Sequence, residues 1–560
     1  MAFRGASVSP SPFVGEGARR ADEGDLRNLP MLTLPHRPIR IAIATALSLA
    51  IVALIVAVLW AILAAATDAT GHSRVDIPHL LRMTSIQAGL TTILSLLVGM
   101  ALAWSLNRLQ FLGRDLVVGL FAAAIVTPGM VVAFGLLSIW GRNGWINQIS
   151  QSLFGVTFDS PAYGLSGILL AHVILDGAFA ARILLARLDA IPANRLKVGQ
   201  SLALSAGQRF RLIDWPAMAG SLPGLGAIIF LLAFTSFPIV LLLGGGPANQ
   251  TLEVAIFSAV RLDFDLTGAV RLAMTQIGVC AIVVLLASAF TPPPAALGRS
   301  AQPTWRDGVG ARVLQWAVLI IATLGFALPL LSVLYDGIVG GFGRVLAQPT
   351  FWRATATSIG IGAASAFLTL VLALALAMGR SALANPVGRT LLGMPAFAYL
   401  AVPAVVLSLG FFLLVRSFGV PVGIAAPFVV VSANSLLALP FAMATLGPPL
   451  DAIVRTRGKL IRSLGLSGSR QFLRVEYPLL GRDIGLMLAL SFCFSLGDLG
   501  VIALFGTQDF QTLPLMMYRA LGSYRNNDAA AIAAILLIGT IAAFIFLPRL
   551  IERLAHAGRR

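Results

Sequence analysis

Apolar runs of about 20 residues or more recur along this chain, parted by shorter stretches that collect arginine, aspartate, glycine and proline. Runs long enough to cross a bilayer as helices fall at roughly 41–66, 84–106, 116–140, 164–187, 222–243, 268–290, 313–335, 354–378, 391–415, 424–446, 484–504 and 529–547. The pattern predicts an all-α polytopic membrane protein of twelve transmembrane helices, six on each side of a break at 291–312. That break opens with Thr291-Pro292-Pro293-Pro294 and carries Arg299 and Arg306, as expected of a linker. Two halves follow, 41–290 and 313–550, with a short tail at 551–560. Residues 1–40 are rich in Ser, Pro, Gly and Arg and have no apolar face to bury, so they are expected to be disordered. The first apolar run begins too late and extends too far for a cleaved signal peptide, and reads as a retained anchor.

Composition agrees with the pattern. The chain is 58% hydrophobic and 11% charged, with a mean hydropathy of +0.89, outside the range of soluble proteins. The net charge of +17 is not a nucleic-acid signal, because the charges lie in loops between apolar runs and form no basic face. Cys280 and Cys493 fall inside apolar runs, and His36, His72, His79, His172 and His556 are scattered, so no disulfide framework, metal site or catalytic cluster is indicated. Lysine and arginine fix the expected orientation. With the N-terminus in the cytoplasm, 29 of the 40 lie inside and 9 in the outer loops, which places both termini in the cytoplasm.

The polar stretches hold a duplication. Slid by 262 residues without a gap, Leu188-Asp189-Ala190-Ile191 falls on Leu450-Asp451-Ala452-Ile453, Ser201-Leu202 on Ser463-Leu464, Phe210 on Phe472 and Pro216 on Pro478. Twelve of the 29 pairs from Leu188/Leu450 to Pro216/Pro478 are identical. The only two lysines of the chain, Lys197 and Lys459, are one of those pairs. Both copies, 188–221 and 447–483, join the fourth and fifth helices of their half and are expected on the cytoplasmic side. Apolar positions such as Leu202, Phe210 and Ile213 keep helical spacing, so each copy is predicted to fold into short amphipathic helices presented to a groove on a partner. Attraction to anionic lipid would explain the charge but not the preserved apolar register.

These loops resemble the EAA motif of importer-type ABC permeases, a Glu-Ala-Ala triplet followed by a glycine and, near its end, a proline. The matching positions are Lys197, Val198, Gly199, Ala203 and Pro216 in the first copy, and Lys459, Leu460, Ile461, Gly465 and Pro478 in the second. Both copies place lysine where the family has glutamate. The first also has Ala203 for the glycine, where a turn of positive φ would be strained. Phe234-Thr235-Ser236-Phe237-Pro238, Leu243-Gly244-Gly245-Gly246-Pro247 and Leu252-Glu253-Val254-Ala255-Ile256 look like the first half of thiamine ABC permeases. Ser495-Leu496-Gly497-Asp498-Leu499-Gly500, Phe505-Gly506-Thr507-Gln508-Asp509-Phe510 and Gly522-Ser523-Tyr524-Arg525 look like the second.

The resemblance implies a permease of a bacterial inner membrane. It implies two copies of a cytoplasmic ABC ATPase seated on the loops and a periplasmic substrate-binding protein on the other face. Thiamine or its phosphates are the implied substrate, with ferric iron as the alternative because fused iron permeases share the twelve-helix duplication. ATP and Mg would belong to the partner, and acids on that ATPase are expected to face the lysines. The residues agree, since the one Gly-Lys pair, Gly458-Lys459, is followed by Leu460 and makes no phosphate-binding loop. A secondary transporter, which has no need of duplicated docking loops, is the rival class. Asp176 and Asp498 fall within predicted spans, where ionisable groups are costly, and are the candidates for the translocation path. Pro128, Pro238 and Pro403 fall mid-span and are expected chiefly to shape packing. Trp60, Trp104 and Trp140 near span ends are expected as interface anchors.

Overall fold

A computed structural model describes residues 38–68, 75–288, 305 and 307–557. Of the segment 1–40 expected to be disordered, 1–37 lies outside these residues and 38–40 are helical, a correction at its end; most of the linker at 291–312 also lies outside. No strand occurs among the described residues. The first half comprises α1 (Pro38–Asp68), α2 (Ile77–Arg108), α3 (Arg114–Ala123), α4 (Gly129–Trp140), α5 (Gly164–Asp189), α6 (Ala193–Ser201), α7 (Leu222–Phe234), α8 (Pro238–Leu243), α9 (Leu252–Arg261) and α10 (Leu266–Ser288). The second comprises α11 (Val309–Gly340), α12 (Pro349–Ala382), α13 (Pro386–Ala398), α14 (Ala404–Ser417), α15 (Val422–Ser463), α16 (Tyr477–Leu496), α17 (Gly500–Phe505), α18 (Leu513–Gly522) and α19 (Asn526–Ala557).

Among the described residues nine helices are long and apolar enough to cross a membrane, ten when a pair bent by 58° (Ala206–Ala219 with Leu222–Phe234) is taken as one span. The expectation of twelve continuous spans is corrected at three places. The runs at 116–140, 222–243 and 391–415 are each interrupted, at Pro128, Pro238 and Pro403. Proline lacks the N–H that would continue the ladder and pushes the residue before it out of helical conformation. Val402 shows this directly, with φ −112° and ψ 104°. These prolines therefore end helices rather than merely shape packing. A fourth interruption, Gly497-Asp498-Leu499, divides α16 from α17 without a proline. At the C-terminal end α19 continues to Ala557, so the segment expected as a tail from 551 is largely helical.

Small residues let the helices approach closely, as is usual where lipid supplies no hydrophobic drive between them. Gly99 of α2 lies against Ala180 and Gly177 of α5, and Gly481 of α16 against Ala555 of α19. The first helix of each half packs on the opposite half. In α1, Ala44 meets Gly379 of α12 and Val58 meets Gly410 of α14. In α11, Pro329 meets Gly135 of α4, while Gly337 also reaches Ala534 of α19. The halves thus embrace rather than abut.

Candidate functional site

The repeated loops fold alike to the level of single backbone turns. In loop 1, α6 ends in a turn where the Leu204 N–H donates to the Gly199 carbonyl at 3.3 Å, and in loop 2 the Leu466 N–H donates to the Ile461 carbonyl at 3.1 Å. This closure demands a left-handed residue just past the helix. Ala203 supplies it at φ +49° and Gly465 at φ +61°. The alanine is therefore strained where the glycine is relaxed, as the sequence predicts. A second short helix follows, then a π-helical segment, Phe210–Asp214 in loop 1 and Phe472–Glu476 in loop 2. The matched prolines come two residues later. Pro216 denies the carbonyl four residues earlier, on Leu212, its α-helical donor, and Arg195 Nη2 donates to it at 3.1 Å.

The outer face of each loop is apolar at matched positions. Val198 and Leu202 are 58% and 66% exposed, and Leu460 and Leu464 are 54% and 62% exposed. Each pair is four residues apart on one helix face. Lys197 and Lys459 are exposed beside them, while Gly199 and Ile461 turn inward. Of the expected apolar positions, Leu202 is exposed, Ile213 is buried and Phe210 half-buried, so the presented surface lies at α6 rather than at Phe210. Pro216 is exposed and Pro478 buried.

The inner faces of the loops are held by charge. Asp214, buried, accepts from Arg108 Nη2 at the end of α2. Its counterpart Glu476, also buried, accepts from both terminal nitrogens of Arg40 at 2.9 Å each and from Gln471. Asp451 at the head of loop 2 accepts from Arg380 at 3.0 Å and Arg389 at 2.7 Å, and Asp189 of loop 1 from Asn107 at 3.1 Å.

Away from the loops, the four helix interruptions converge on the seam between halves. A Cβ placed on Gly497 would lie 3.0 Å from the Pro128 ring, which brings the α16–α17 break of one half against the α3–α4 break of the other. Within the halves, Gly129 lies against Ile239 and Gly500 against Ala404. Asp498 stands in this ring. Its carboxylate accepts from the Gly500 N–H at 3.1 Å and the Val501 N–H at 3.2 Å, capping α17. Asp176 stands elsewhere, on α5, with Oδ2 buried and without a hydrogen bond, while His172 one turn earlier donates from Nδ1 to the Ile168 carbonyl at 2.8 Å. The structure thus brings Asp498, but not Asp176, to the meeting of the breaks.

Sequence reasoning missed Glu253 as a site residue. It lies fully buried at the start of α9, with Oε1 accepting from Gln276 at 3.0 Å and Oε2 without a hydrogen bond. Its helix is too short to register as a membrane element, so no intramembrane-charge argument reached it. The matched helices α9 and α18 meet at the seam through Phe257 and Tyr518, whose rings stand edge to face at 6.3 Å. The first N–H of each donates to a hydroxyl oxygen on another helix, Leu252 to Thr84 at 3.0 Å and Leu513 to Ser358 at 2.7 Å. Burial and the neighbouring Arg261 push the Arg519 guanidinium below its ordinary value. Among the described residues no group of acids, histidines and cysteines could hold a metal ion.

No family model matches the chain. Whole-length relatives do. The thiamine transport system permease protein of Escherichia coli K12 is 36% identical over 467 residues, covering 82% of this chain and 86% of the relative. The protein of the same name from Salmonella typhimurium is 35% identical over 480 residues, 84% of this chain and 89% of the relative. That of Haemophilus influenzae is 35% identical over 478 residues, 83% and 88%. Identity of 35–36% over more than four-fifths of this chain and of each relative spans both halves: the chain belongs to the family of thiamine transport system permeases.

Proposed function

We propose that the chain carries thiamine or its phosphates through the bacterial inner membrane as the permease of an ATP-driven importer, with hydrolysis performed on a separate ATPase. The relatives' names support thiamine over ferric iron. The observation that carries the coupling half of this reading is the pair of apolar faces, Val198 with Leu202 and Leu460 with Leu464, matched in position and exposure. A monomer presenting the same two-residue knob twice suits two copies of one partner, each with an apolar cleft. Lys197 and Lys459 beside the knobs suit acids on the rim of that cleft. ATP and Mg would be held by that partner. On this reading the loops and both chain termini face the cytoplasm, and a substrate-binding protein docks on the opposite face.

The geometry offers a route from loop to gate. Gly468–Phe505 forms one long apolar helical run, so displacement of loop 2 is carried along α16 to the break at Gly497–Leu499. There the break rests on Pro128 of the other half, and parting these contacts would open the seam. Asp498 offers a negative charge at that point to a cationic substrate.

The test is uptake of labelled thiamine into proteoliposomes containing the chain, its ATPase and its binding protein, with ferric iron in parallel. ATP-dependent thiamine uptake is expected. Iron uptake alone would sink the vitamin, and uptake driven by an ion gradient without the ATPase would sink the reading of the loops.

A further inference from the structure

Each loop is gripped by chain that belongs to the opposite half. Arg40 opens α1, the first helix of the first half, yet its guanidinium holds Glu476 of loop 2 in a two-bonded pair, both bonds 2.9 Å. Asp307 and Trp305 immediately precede α11, the first helix of the second half, yet they close over loop 1. The Arg209 guanidinium lies 4.0 Å from the Trp305 ring centroid, and its Nη1 donates to the Trp305 carbonyl at 3.4 Å. Asp307 stands 3.8 Å from both Arg209 and Arg108, and is itself fixed by Gln315 Nε2 at 2.7 Å. A Cβ on Gly199 would lie 2.8 Å from the Trp305 ring, so the indole fills the space over the loop that the absent side chain leaves. Loop 2 has Ile461 at the matched position, buried by its own side chain.

These contacts lie on the inner faces of the loops and leave Val198, Leu202, Leu460 and Leu464 free. They are made to buried groups, where a charge deprived of its partner is costly, so they restrict where each loop can rest. They also cross over, and the chain between the halves therefore does more than tether them. We infer that Arg40, Trp305 and Asp307 are positioning residues. Each sets the rest position of the opposite half's loop, so that neither loop moves without the first helix of the other half. This inference rests on the reading of the loops as ATPase docking elements.

Single nitroxide labels on matched loop positions, S201C in loop 1 or S463C in loop 2, read loop mobility directly; Cys280 and Cys493 are buried and leave one reactive thiol. Arg40→Ala is expected to mobilise the label at 463 and leave that at 201 unchanged. Trp305→Ala is expected to do the reverse. In unlabelled chains reconstituted with the ATPase and binding protein, each variant is expected to raise ATP hydrolysed per thiamine imported by about threefold at normal membrane amounts, because a loosened loop transmits less of each cycle. Arg40→Lys and Trp305→Phe, which keep the charge and the ring, are expected to fall between wild type and alanine on both measures, and decide the matter if an alanine variant fails to accumulate. Labels that stay fixed, that move in the same half as the substitution, or that move while the ATP ratio stays at wild type, each overturn the inference. The underlying reading stands or falls separately. If Val198→Asp with Leu460→Asp leaves ATP-driven uptake intact, the loops are not docking elements, whatever the labels do.

Discussion

The two loops are equal at the apolar pairs they present outward and unequal where they face inward. Outward, each presents an apolar pair at the same register and a neighbouring lysine. Inward, loop 1 is packed by Trp305 over Gly199, and loop 2 by its own Ile461. Loop 1 satisfies its buried acid with Arg108 of its own half, loop 2 with Arg40 of the other. Their exits differ as well. Loop 2 continues into α16, whereas loop 1 turns through 58° before α7, where Pro223 sits in the first turn and Gly485 is its repeat counterpart. The difference teaches which constraints are shared. Two identical partners require two identical surfaces, whereas a fused pair of halves needs only that each surface be held, by whatever chain lies nearby.

The largest expected effect tests the outward equality. Val198→Asp and Leu460→Asp each place a charge in the centre of the presented knob, and together are expected to lower ATP-driven thiamine uptake by about a hundredfold, the size of a lost apolar anchor on each side. The single variants should be equal within about twofold when assayed as uptake per permease. A loop that tolerates the charge while the other does not breaks the comparison.

The inward difference is tested next. Gly199→Ile gives loop 1 the residue of loop 2, but Trp305 and Ile213 already fill that space, so thermal unfolding in detergent should report a loss of about 1–3 kcal/mol. Adding Trp305→Gly should recover the part of it that the indole causes, leaving the contact with Ile213. Failure of the second change to compensate would show that the indole is not the substitute for the Ile461 side chain.

A smaller effect separates charge from backbone capping at the seam. Asp498→Asn keeps an acceptor oxygen for the Gly500 and Val501 N–H groups, so α17 should remain capped and membrane amounts normal. Thiamine uptake is expected to fall about fivefold, the cost of roughly 1 kcal/mol of lost attraction for a cation. Wild-type uptake in this variant would reduce Asp498 to a cap. Asp176→Asn, away from the breaks, should leave uptake closer to wild type, and the reverse ranking would place the path along α5.

Much of this was legible in the sequence, for identifiable reasons. The loops were readable because duplication preserves register, and the glycine of the EAA motif they resemble located the left-handed position at Ala203 and Gly465. The membrane segments were readable because length and hydropathy are summed over many residues. What escaped were features that depend on single residues or on contacts between distant segments. Pro128, Pro238 and Pro403 could be seen as irregularities, but only the packing of distant segments brings their interruptions to one seam. Glu253 was hidden because α9 spans only Leu252–Arg261, far below the length at which a membrane helix announces itself. Arg40 and Trp305 carry no local signal at all; each gains its role from a partner hundreds of positions or half a domain away.

The smallest expected effect lies in the one backbone turn where the loops share a conformation but not a residue. Ala203 holds φ +49° with a Cβ that this region disfavours, whereas Gly465 holds φ +61° without one. Ala203→Gly should therefore relieve strain in the folded chain, although glycine also widens the unfolded ensemble, and the two effects oppose. Strain in the left-handed region is of order 1 kcal/mol and the entropic loss about 0.4–1 kcal/mol, so the net change should be a few tenths of a kcal/mol of stabilisation at most. Gly465→Ala meets no atoms within 4 Å of the added Cβ, so its cost should be the strain less the entropy that alanine removes from the unfolded chain, a few tenths of a kcal/mol, read as a slightly lower unfolding temperature. A near-neutral loop 1 and a measurable loss in loop 2 would show that both turns are held left-handed by the closure of the preceding helix. If Gly465→Ala were also neutral, the turn would be free to open, and the shared geometry of the loops would be a preference rather than a requirement.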